Sequence, residues 1–411
     1  MSRKIKLSGK VKYPKERLLY ELYRMRGLTL RQIEKAIIGS YDYAYEYMTK
    51  LEKEGYVQGK HYNSGRKRLG KLYTATDKGI ELLATSKFLQ IPPKKEEIGT
   101  EIQKETLSYS ISQYETDVYL PKFMSAYANN QRYDKHKAVY TLLTNELYAE
   151  ITSYGMYFFD SREWKVRQRL NRNAIVRGGF KCRTGEEYSL YILFSTEQTK
   201  TAHISENMLR RMVEEMNSFP QGGHHVVYVY DEEKYDWIVE QIRKMKPHSN
   251  SLHIIRHYNG LGYEKLRLLS DSDYWDIQLA HLTRTSVKRI KNEQLASRYA
   301  THEFILGEQP YYLTSYLTHN EGAMIQLERE FTPEKSQIIG KKLAILAWES
   351  DINILKGRFS NATHIRVRLI PDETLQEVKY KGHELLGNSA IWKAHSNEIN
   401  RQRRLTYDMV L

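Results

Sequence analysis

The sequence has very little cysteine and no long apolar run. Its 411 residues include a single cysteine, Cys182, which excludes an intramolecular disulfide and a zinc site built from several cysteines. Such rarity fits a reducing cytosol. No apolar run approaches the roughly 20 residues that a membrane-spanning helix needs, and the basic residues 1–12 lack the apolar core of a signal peptide. We therefore expect a cytoplasmic protein with no membrane partner.

Motifs for nucleotides and catalytic metals are also missing. No Gly-x-x-x-x-Gly-Lys-Ser/Thr occurs, so ATP hydrolysis is not expected, and Asn259–Gly262 is better interpreted as a turn than as a dinucleotide fingerprint. A relaxase would need two metal-binding histidines, commonly one residue apart. His224 and His225 are adjacent, so in a strand their side chains would point to opposite faces. We expect no cofactor, no metal ion and no assigned catalytic residue.

Positive charge is plentiful and lies near the N-terminus. The chain holds 64 Lys and Arg against 50 Asp and Glu, a net charge of +14. Residues 1–95 contain 22 basic and 9 acidic side chains, which leaves the other residues a net charge of only +1. This distribution indicates a nucleic-acid-binding module attached to a nearly neutral body.

Two amphipathic helices are predicted between Leu28 and Glu54. Gly39 and Ser40 separate them, and Ser40 is a suitable N-cap because its hydroxyl can accept a bond from a backbone N–H. Gly55 suits the left-handed position after the second helix. The residues expected to face the core recur at helical spacing, and they are Ile33, Ala36 and Ile37 in the first helix and Ala44, Tyr47, Met48 and Leu51 in the second.

A basic hairpin is predicted from Val57 to Thr76. Its tip carries positive side chains between two flexible glycines, where they would lie along phosphates. A helix over Tyr13–Arg26 precedes this region, and a helix over Lys78–Lys87, capped by Asp77, follows it. This order is typical of a winged helix-turn-helix. A helical hairpin with a solvated basic loop is the alternative.

The remaining chain predicts an α/β body with a partly parallel sheet. Its expected strands include Ala174–Phe180, Tyr188–Phe194, His225–Tyr230, Leu252–His257, Thr301–Leu306, Tyr311–Leu317, Met324–Arg329 and Thr363–Ile370. Its expected helices are Glu206–Asn217, Tyr235–Met245 and Pro333–Ile352. Short mixed elements are expected between Ala138 and Phe159, and no internal repeat is visible.

The predicted fold class is multidomain α+β, with an N-terminal winged helix-turn-helix, an α/β domain with a mixed sheet, and a C-terminal α+β region. The predicted divisions are a basic arm (1–12), the winged helix-turn-helix (13–89), a linker around Pro92 and Pro93 (90–100), a helical connector (101–135), an inactive nuclease-like core (136–270) and a region of unassigned role (271–411).

Part of the sequence resembles the replication-relaxation family, found on plasmids and other mobile elements of Gram-positive bacteria. The residues that carry the resemblance are Leu28–Ile37, Tyr56-Val57, the hairpin end Tyr73-Thr74-Ala75-Thr76-Asp77-Lys78-Gly79, and the hairpin Val176–Phe194. It covers residues 15–260. The resemblance implies a role in plasmid replication or maintenance.

The body also looks like a restriction-endonuclease-type core, in which a hairpin is followed by a helix and a parallel strand. Such nucleases hold Mg²⁺ with an acid at the hairpin start and a Glu-x-Lys or Asp-x-Lys on the next strand. Here the first position reads Arg177-Gly178-Gly179, and the second strand ends Leu193-Phe194-Ser195. The pattern therefore favours the fold without its metal site.

We predict a sequence-specific protein that binds double-stranded DNA, belongs to a plasmid, phage or other mobile element, and acts as a homo-oligomer, most simply a dimer, in replication, maintenance or transcriptional control. The expected DNA contacts are Arg31, Ser40, Tyr41, Asp42, Tyr43, Tyr45, Lys50, Arg66, Lys67, Arg68 and Lys71. The alternatives are a replication initiator or a nicking or recombining enzyme with a divergent site in the body, and a repressor whose body senses a ligand.

Overall fold

The chain folds into two compact units of mixed α+β structure. The computed structural model describes residues 14–64, 67–85, 135–154, 156–171, 173–182, 185–195, 204–219, 223–249, 251–258, 261–269, 287–290 and 299–372. Among these residues, the first unit ends at Ser153 and the second begins at Tyr154. The described strands form three sheets, two of which mix parallel and antiparallel pairs.

The first unit combines helices with a small antiparallel sheet. Its elements in chain order are α1 (Pro14–Arg24), β1 (Leu28–Thr29), α2 (Leu30–Ile33), which continues as a π-helical turn (Glu34–Ile38), α3 (Tyr41–Lys53), β2 (Val57–Ser64), β3 (Lys67–Ala75), α4 (Asp77–Thr85) and α5 (Lys135–Ser153). The sheet has the order β1-β3-β2. The predicted linker at 90–100 and the helix expected over 101–131 lie outside the described residues.

Local sequence signals explain most of these boundaries. Thr29 and Gln32 form a capping box at the start of α2, in which each side chain bonds to the backbone of the other. Gly55 adopts a φ of +77° after α3, as predicted. Ser40 is the N-cap residue of α3, but its hydroxyl makes no capping hydrogen bond. At α4 the predicted cap is wrong, because the hydroxyl of Thr76, not Asp77, accepts from the Gly79 N–H.

Helix α5 differs from the short mixed elements expected between residues 138 and 154. It is one continuous helix and belongs to the first unit, whereas the sequence placed the start of the body at residue 136. The buried amide of Asn145 donates to the backbone oxygens of Met25 at 3.1 Å and Gly27 at 2.5 Å. Gln32 donates to Glu146 at 2.8 Å. These contacts link residues more than a hundred positions apart, which periodicity does not detect.

The second unit begins with a five-stranded sheet of order β4-β5-β6-β7-β8. Its elements are β4 (Tyr157–Asp160), α6 (Ser161–Arg167), β5 (Gly178–Lys181), β6 (Glu187–Leu193), α7 (Glu206–Asn217), β7 (His224–Val229), α8 (Tyr235–Met245), β8 (Ser251–Arg256) and α9 (Leu261–Leu268). Strands β4, β5 and β6 pair antiparallel, whereas β6, β7 and β8 pair parallel. Residues of α7 and α8 bury an apolar core against one face of the sheet.

A second sheet of order β9-β10-β11-β12-β13 follows. Its elements are β9 (Val287–Arg289), β10 (His302–Leu306), β11 (Gln309–Ser315), α10 (Glu321–Glu330), α11 (Pro333–Ile339), β12 (Lys342–Trp348), a 3₁₀ turn (Glu349–Asp351), α12 (Ile352–Phe359) and β13 (Ile365–Ile370). Strands β9, β10 and β11 pair antiparallel, and β11, β12 and β13 pair parallel.

The two sheets therefore repeat one topology. Each has three antiparallel strands followed by two parallel strands, with helices in the crossovers. The sequence prediction of no internal repeat is wrong at this level. Two segments of different sequence can form sheets with the same strand order, because buried parallel strands require only apolar residues of suitable volume.

We call β4–β8 with their helices the first repeat and β9–β13 with their helices the second repeat. Two elements of the second repeat were predicted wrongly. Met324–Arg329 was expected as a strand but lies within helix α10, and the helix expected over Pro333–Ile352 ends at Ile339. Gly340, with a φ of +70°, terminates α11, and the buried run that follows is strand β12. A continuous apolar run is compatible with either a buried strand or a buried helix, so periodicity alone did not separate them.

Gly179 and Gly357 form a contrasting pair for one test of packing. A Cβ at Gly179 in β5 would overlap the indole ring of Trp164, whereas a Cβ at Gly357 in α12 would meet no heavy atom within 4 Å. Gly179→Ala should destabilise the second unit by about 1–3 kcal/mol, since the ring must move. Gly357→Ala should stabilise it by up to about 1 kcal/mol, because alanine favours a helix. Urea unfolding of both variants measures the two changes in the free energy of unfolding. Equal changes would contradict the close contact between Gly179 and Trp164.

Candidate nucleic-acid interface

Helix α3 exposes three tyrosines on the surface of the first unit, with Tyr41 and Tyr45 one turn apart and Tyr43 on the other side of the helix. Ala44, Met48 and Leu51 are fully buried and fix the inner face of the helix. Tyr41, Tyr43 and Tyr45, all predicted DNA contacts, remain 47%, 55% and 56% exposed. Exposed aromatic rings with a hydroxyl at their tip can stack, pack and hydrogen-bond, so these three side chains are chemically suited to contact a ligand.

The other predicted contacts on the helices are also accessible. Arg31 on α2, and Ser40, Asp42 and Lys50 at α3, are exposed. Lys50 lies 3.9 Å from the carboxylate of Glu54, a solvent-exposed pair worth little to stability. These side chains are therefore free to exchange their present contacts for a ligand.

The hairpin residues are only partly placed. Arg66 lies outside the described residues, and for Lys67 and Arg68 the structure describes the backbone of β3 alone. Lys71 is half-buried, and its ammonium contacts the carboxylate of Glu52 at 2.7 Å. Burial lowers the pKa of Lys71, but the bond to Glu52 outweighs it and the net pKa is raised. Lys71 is thus a cation already held by an acid of α3.

Tyr47 lies one helical turn after Tyr43 and packs against it. Its ring stacks on that of Tyr43 with centroids 5.8 Å apart and an angle of 8° between the planes. Burial, together with nearby Tyr43 and Glu16, raises the pKa of Tyr47 to about 12. The phenol therefore stays protonated near neutral pH, which suits a packing or hydrogen-bonding role.

Sequence reasoning missed three residues on the outward face of α3. Glu46, Thr49 and Lys53 lie opposite the buried face at helical spacing, beside the predicted Asp42. The outward face thus carries acids near its N-terminal end and lysines near its C-terminal end. A helical projection of residues 41–53 was the available signal, because the inner residues were already predicted.

A second group of polar residues is buried within the second unit, and sequence reasoning did not single it out. His319 is 0% exposed and sits among Tyr235, Lys265 and Asp351, which are 1%, 4% and 2% exposed. We call these four residues the junction cluster. They come from α8, α9, the β11–α10 loop and the 3₁₀ turn, so only the tertiary fold brings them together. No local motif in the sequence marks them.

Two further properties concern metals and membranes. Within the residues that the structure describes, no three His, Cys, Asp or Glu side chains gather closely enough to hold a metal ion. Over the same residues, no helix is both long and apolar enough to cross a membrane.

Comparison with known proteins returns no relative. No family model, no curated protein and no solved structure matches the chain.

Proposed function

We propose that this chain is a sequence-specific double-stranded DNA-binding protein, with its first unit acting as a winged helix-turn-helix. In this proposal α3 enters the major groove and the β2–β3 hairpin is the wing. The observation that carries it is the exposure of Tyr41, Tyr43 and Tyr45 on α3, in the part of the chain that holds nearly all of the excess positive charge.

The order of elements supports the DNA-binding module. Helix α1, strand β1, helices α2 and α3, the β2–β3 hairpin and helix α4 follow one another, and β1 adds to the hairpin as a third strand. In winged helix-turn-helix domains the second helix of the pair is the one that reads bases from the major groove. The N-terminal residues of that helix usually reach the base edges, and in α3 these residues include Tyr41, Tyr43 and Tyr45.

The charge distribution supports DNA rather than a protein as the ligand. Phosphate contacts dominate the affinity of such proteins, and basic side chains supply them. The first 95 residues carry a net charge of +13. The resemblance to the replication-relaxation family favours a role in replication, maintenance or transcriptional control of a mobile element, and a two-fold DNA site would suit a homodimer.

The test is selection of binding sites from a random duplex library by the full chain, followed by affinity measurement at two salt concentrations. We expect an enriched sequence and an affinity that falls steeply as salt rises. If no sequence is enriched, the proposal of specific DNA binding fails. Nicking of a supercoiled plasmid by the same protein would instead favour a DNA-processing enzyme.

Tyr45→Ala should separate base reading from phosphate binding. Tyr45 is 56% exposed, so its loss should leave thermal unfolding unchanged while weakening specific binding by about 5- to 150-fold, as expected for one lost base contact of about 1–3 kcal/mol. Trp237→Ala, an exposed aromatic residue of α8, is the matched control and should not affect binding. Equal binding by the Tyr45 variant and the natural protein would remove Tyr45 from the reading surface.

A further inference from the structure

In the second unit, one short segment of the second repeat pairs with β8, the edge strand of the first repeat's sheet. His253 of β8 forms an isolated antiparallel bridge with Asn320, and the Ile254 N–H donates to the His319 carbonyl at 3.0 Å. Strand β8 is the last strand of its sheet. The segment Thr318–Asn320 therefore pairs with an otherwise open edge, which a sheet normally has to cover.

His319 is held at this edge by groups from both repeats. Its Nδ1 contacts the hydroxyl of Tyr235, its Nε2 lies 2.9 Å from the ammonium nitrogen of Lys265, and its ring stacks on Tyr316 with centroids 5.0 Å apart. The backbone of His319 has a φ of +52°. A non-glycine residue in this region persists only where its surroundings fix it.

The hydrogen bonds define where the protons lie. The Tyr235 hydroxyl donates to the Ile254 carbonyl at 2.7 Å, so Nδ1 of His319 must carry the proton that joins it to Tyr235. In a neutral ring Nε2 is then an acceptor, which matches the donor Lys265. The Asp351 carboxylate lies 2.7 Å from Nε2, where it would accept a proton that this nitrogen gains. The cluster therefore holds one cation, Lys265, one anion, Asp351, and a neutral imidazole.

We propose that the junction cluster is a pH-sensitive connection between the two repeats, in which protonation of His319 places a second cation beside Lys265 and releases the segment Thr318–Asn320 from β8. This inference concerns the second unit and is independent of DNA binding by the first.

The other charged and titratable groups around His319 do not remove this effect. On the first repeat, Arg256 carries a positive charge, and the buried His253 gains one when it is protonated. On the second repeat, Glu321 is already neutralised by Arg358 at 2.7 Å. Asp351 and, more weakly, Glu321 favour the protonated ring, and Lys265 competes with the ring for the Asp351 carboxylate.

The expected direction of the pH dependence follows from the pKa. Burial lowers the pKa of His319, and Lys265 lowers it further while Asp351 opposes the change. In the unfolded chain the pKa of a histidine is about 6.5. A group with a lowered folded-state pKa contributes stability above the unfolded value and loses it as pH falls through the folded value. The second unit should therefore become less stable below about pH 6.5.

The test is urea unfolding of the full chain from pH 8 to pH 5, together with hydrogen exchange of residues 251–256 and 315–321. His319 should raise the unfolding constant of the natural protein by up to about tenfold for each pH unit below about pH 6.5, in addition to the rise caused by His224, His225, His253 and His257, whose pKa values are also lowered by burial. His319→Asn, which tolerates the left-handed backbone, should lose the part of this rise due to His319. His248→Gln, at an exposed position, should keep it.

Lys265→Met distinguishes the proposed proton competition from simple burial of a histidine. Without the lysine, burial still lowers the pKa of His319 while Asp351 still raises it, so the pKa should lie closer to its ordinary value. The loss of stability that His319 causes at low pH should therefore be smaller in this variant. The proposal is overturned if His319→Asn and the natural protein share one pH profile, or if Lys265→Met leaves that profile unchanged.

Discussion

Replacing Arg358 by methionine should destabilise the second unit by about 3–5 kcal/mol, the usual cost of leaving a buried charge without its partner. Arg358 and Glu321 are each only 1% exposed and contact each other at 2.7 Å. The second oxygen of Glu321 accepts from the hydroxyl of Tyr316, whose ring stacks on His319. Removing the guanidinium therefore leaves a carboxylate buried beside the junction cluster. Urea unfolding at pH 7.5 measures the effect.

Two variants control this experiment. Arg210→Met breaks an exposed pair with Glu206, whose side chains are 57% and 59% accessible, and should cost less than about 1 kcal/mol. Arg358→Met combined with Glu321→Gln removes both charges and should recover most of the lost stability, because the carboxylate no longer needs a counter-ion. A small effect of Arg358→Met alone would mean that water reaches Glu321.

The elements predicted correctly are those whose pattern is local. Helices α7 and α8 begin and end at the predicted residues, and β6, β7 and β8 lie within one residue of their predicted bounds. Each helix has one apolar face and a clear stop, such as Lys246 in the left-handed region after α8. Here the side-chain pattern and the tertiary burial agree, so a single sequence was sufficient.

The failures lie where tertiary context decides between two local structures. The apolar run Leu343–Trp348 was assigned to the same helix as Ile338 and Ile339, although Gly340, Lys341 and Lys342 separate them. In the fold it is buried between β11 and β13 as a parallel strand. Gly340 was the available signal, since a glycine after an amphipathic helix often adopts the left-handed conformation that ends it.

The two candidate sites, the exposed tyrosines of α3 and the junction cluster, also differ in whether their residues lie close together in the sequence. The exposed tyrosines of α3 could be predicted because they lie within five residues of one another and one helix carries all three. The junction cluster could not, because Tyr235, Lys265, His319 and Asp351 are separated by 30 or more residues and meet only through the repeated topology. A buried polar cluster of this kind is specified by the packing of elements and leaves no spacing in the sequence.

Neutralising the basic side chains at the tip of the β2–β3 hairpin should reduce DNA affinity more than Tyr45→Ala does. If Arg66, Lys67 and Arg68 each contact a phosphate, the triple glutamine variant should bind DNA about 10²–10³-fold more weakly near 0.1 M salt. The slope of log affinity against log salt should fall by about three, since each phosphate contact contributes about 0.9. Binding of the full chain to its selected duplex over a range of salt concentrations measures both quantities.

The control must carry the same change in net charge, because a less basic protein binds DNA more weakly at long range. Glutamine at Arg210, Lys244 and Arg329, which are 57%, 61% and 77% exposed in the second unit, provides it. If this control loses affinity as strongly as the hairpin variant, the hairpin makes no direct phosphate contacts. If only the hairpin variant loses affinity and its enriched sequence is unchanged, phosphate binding by the hairpin and base reading by α3 are separate functions.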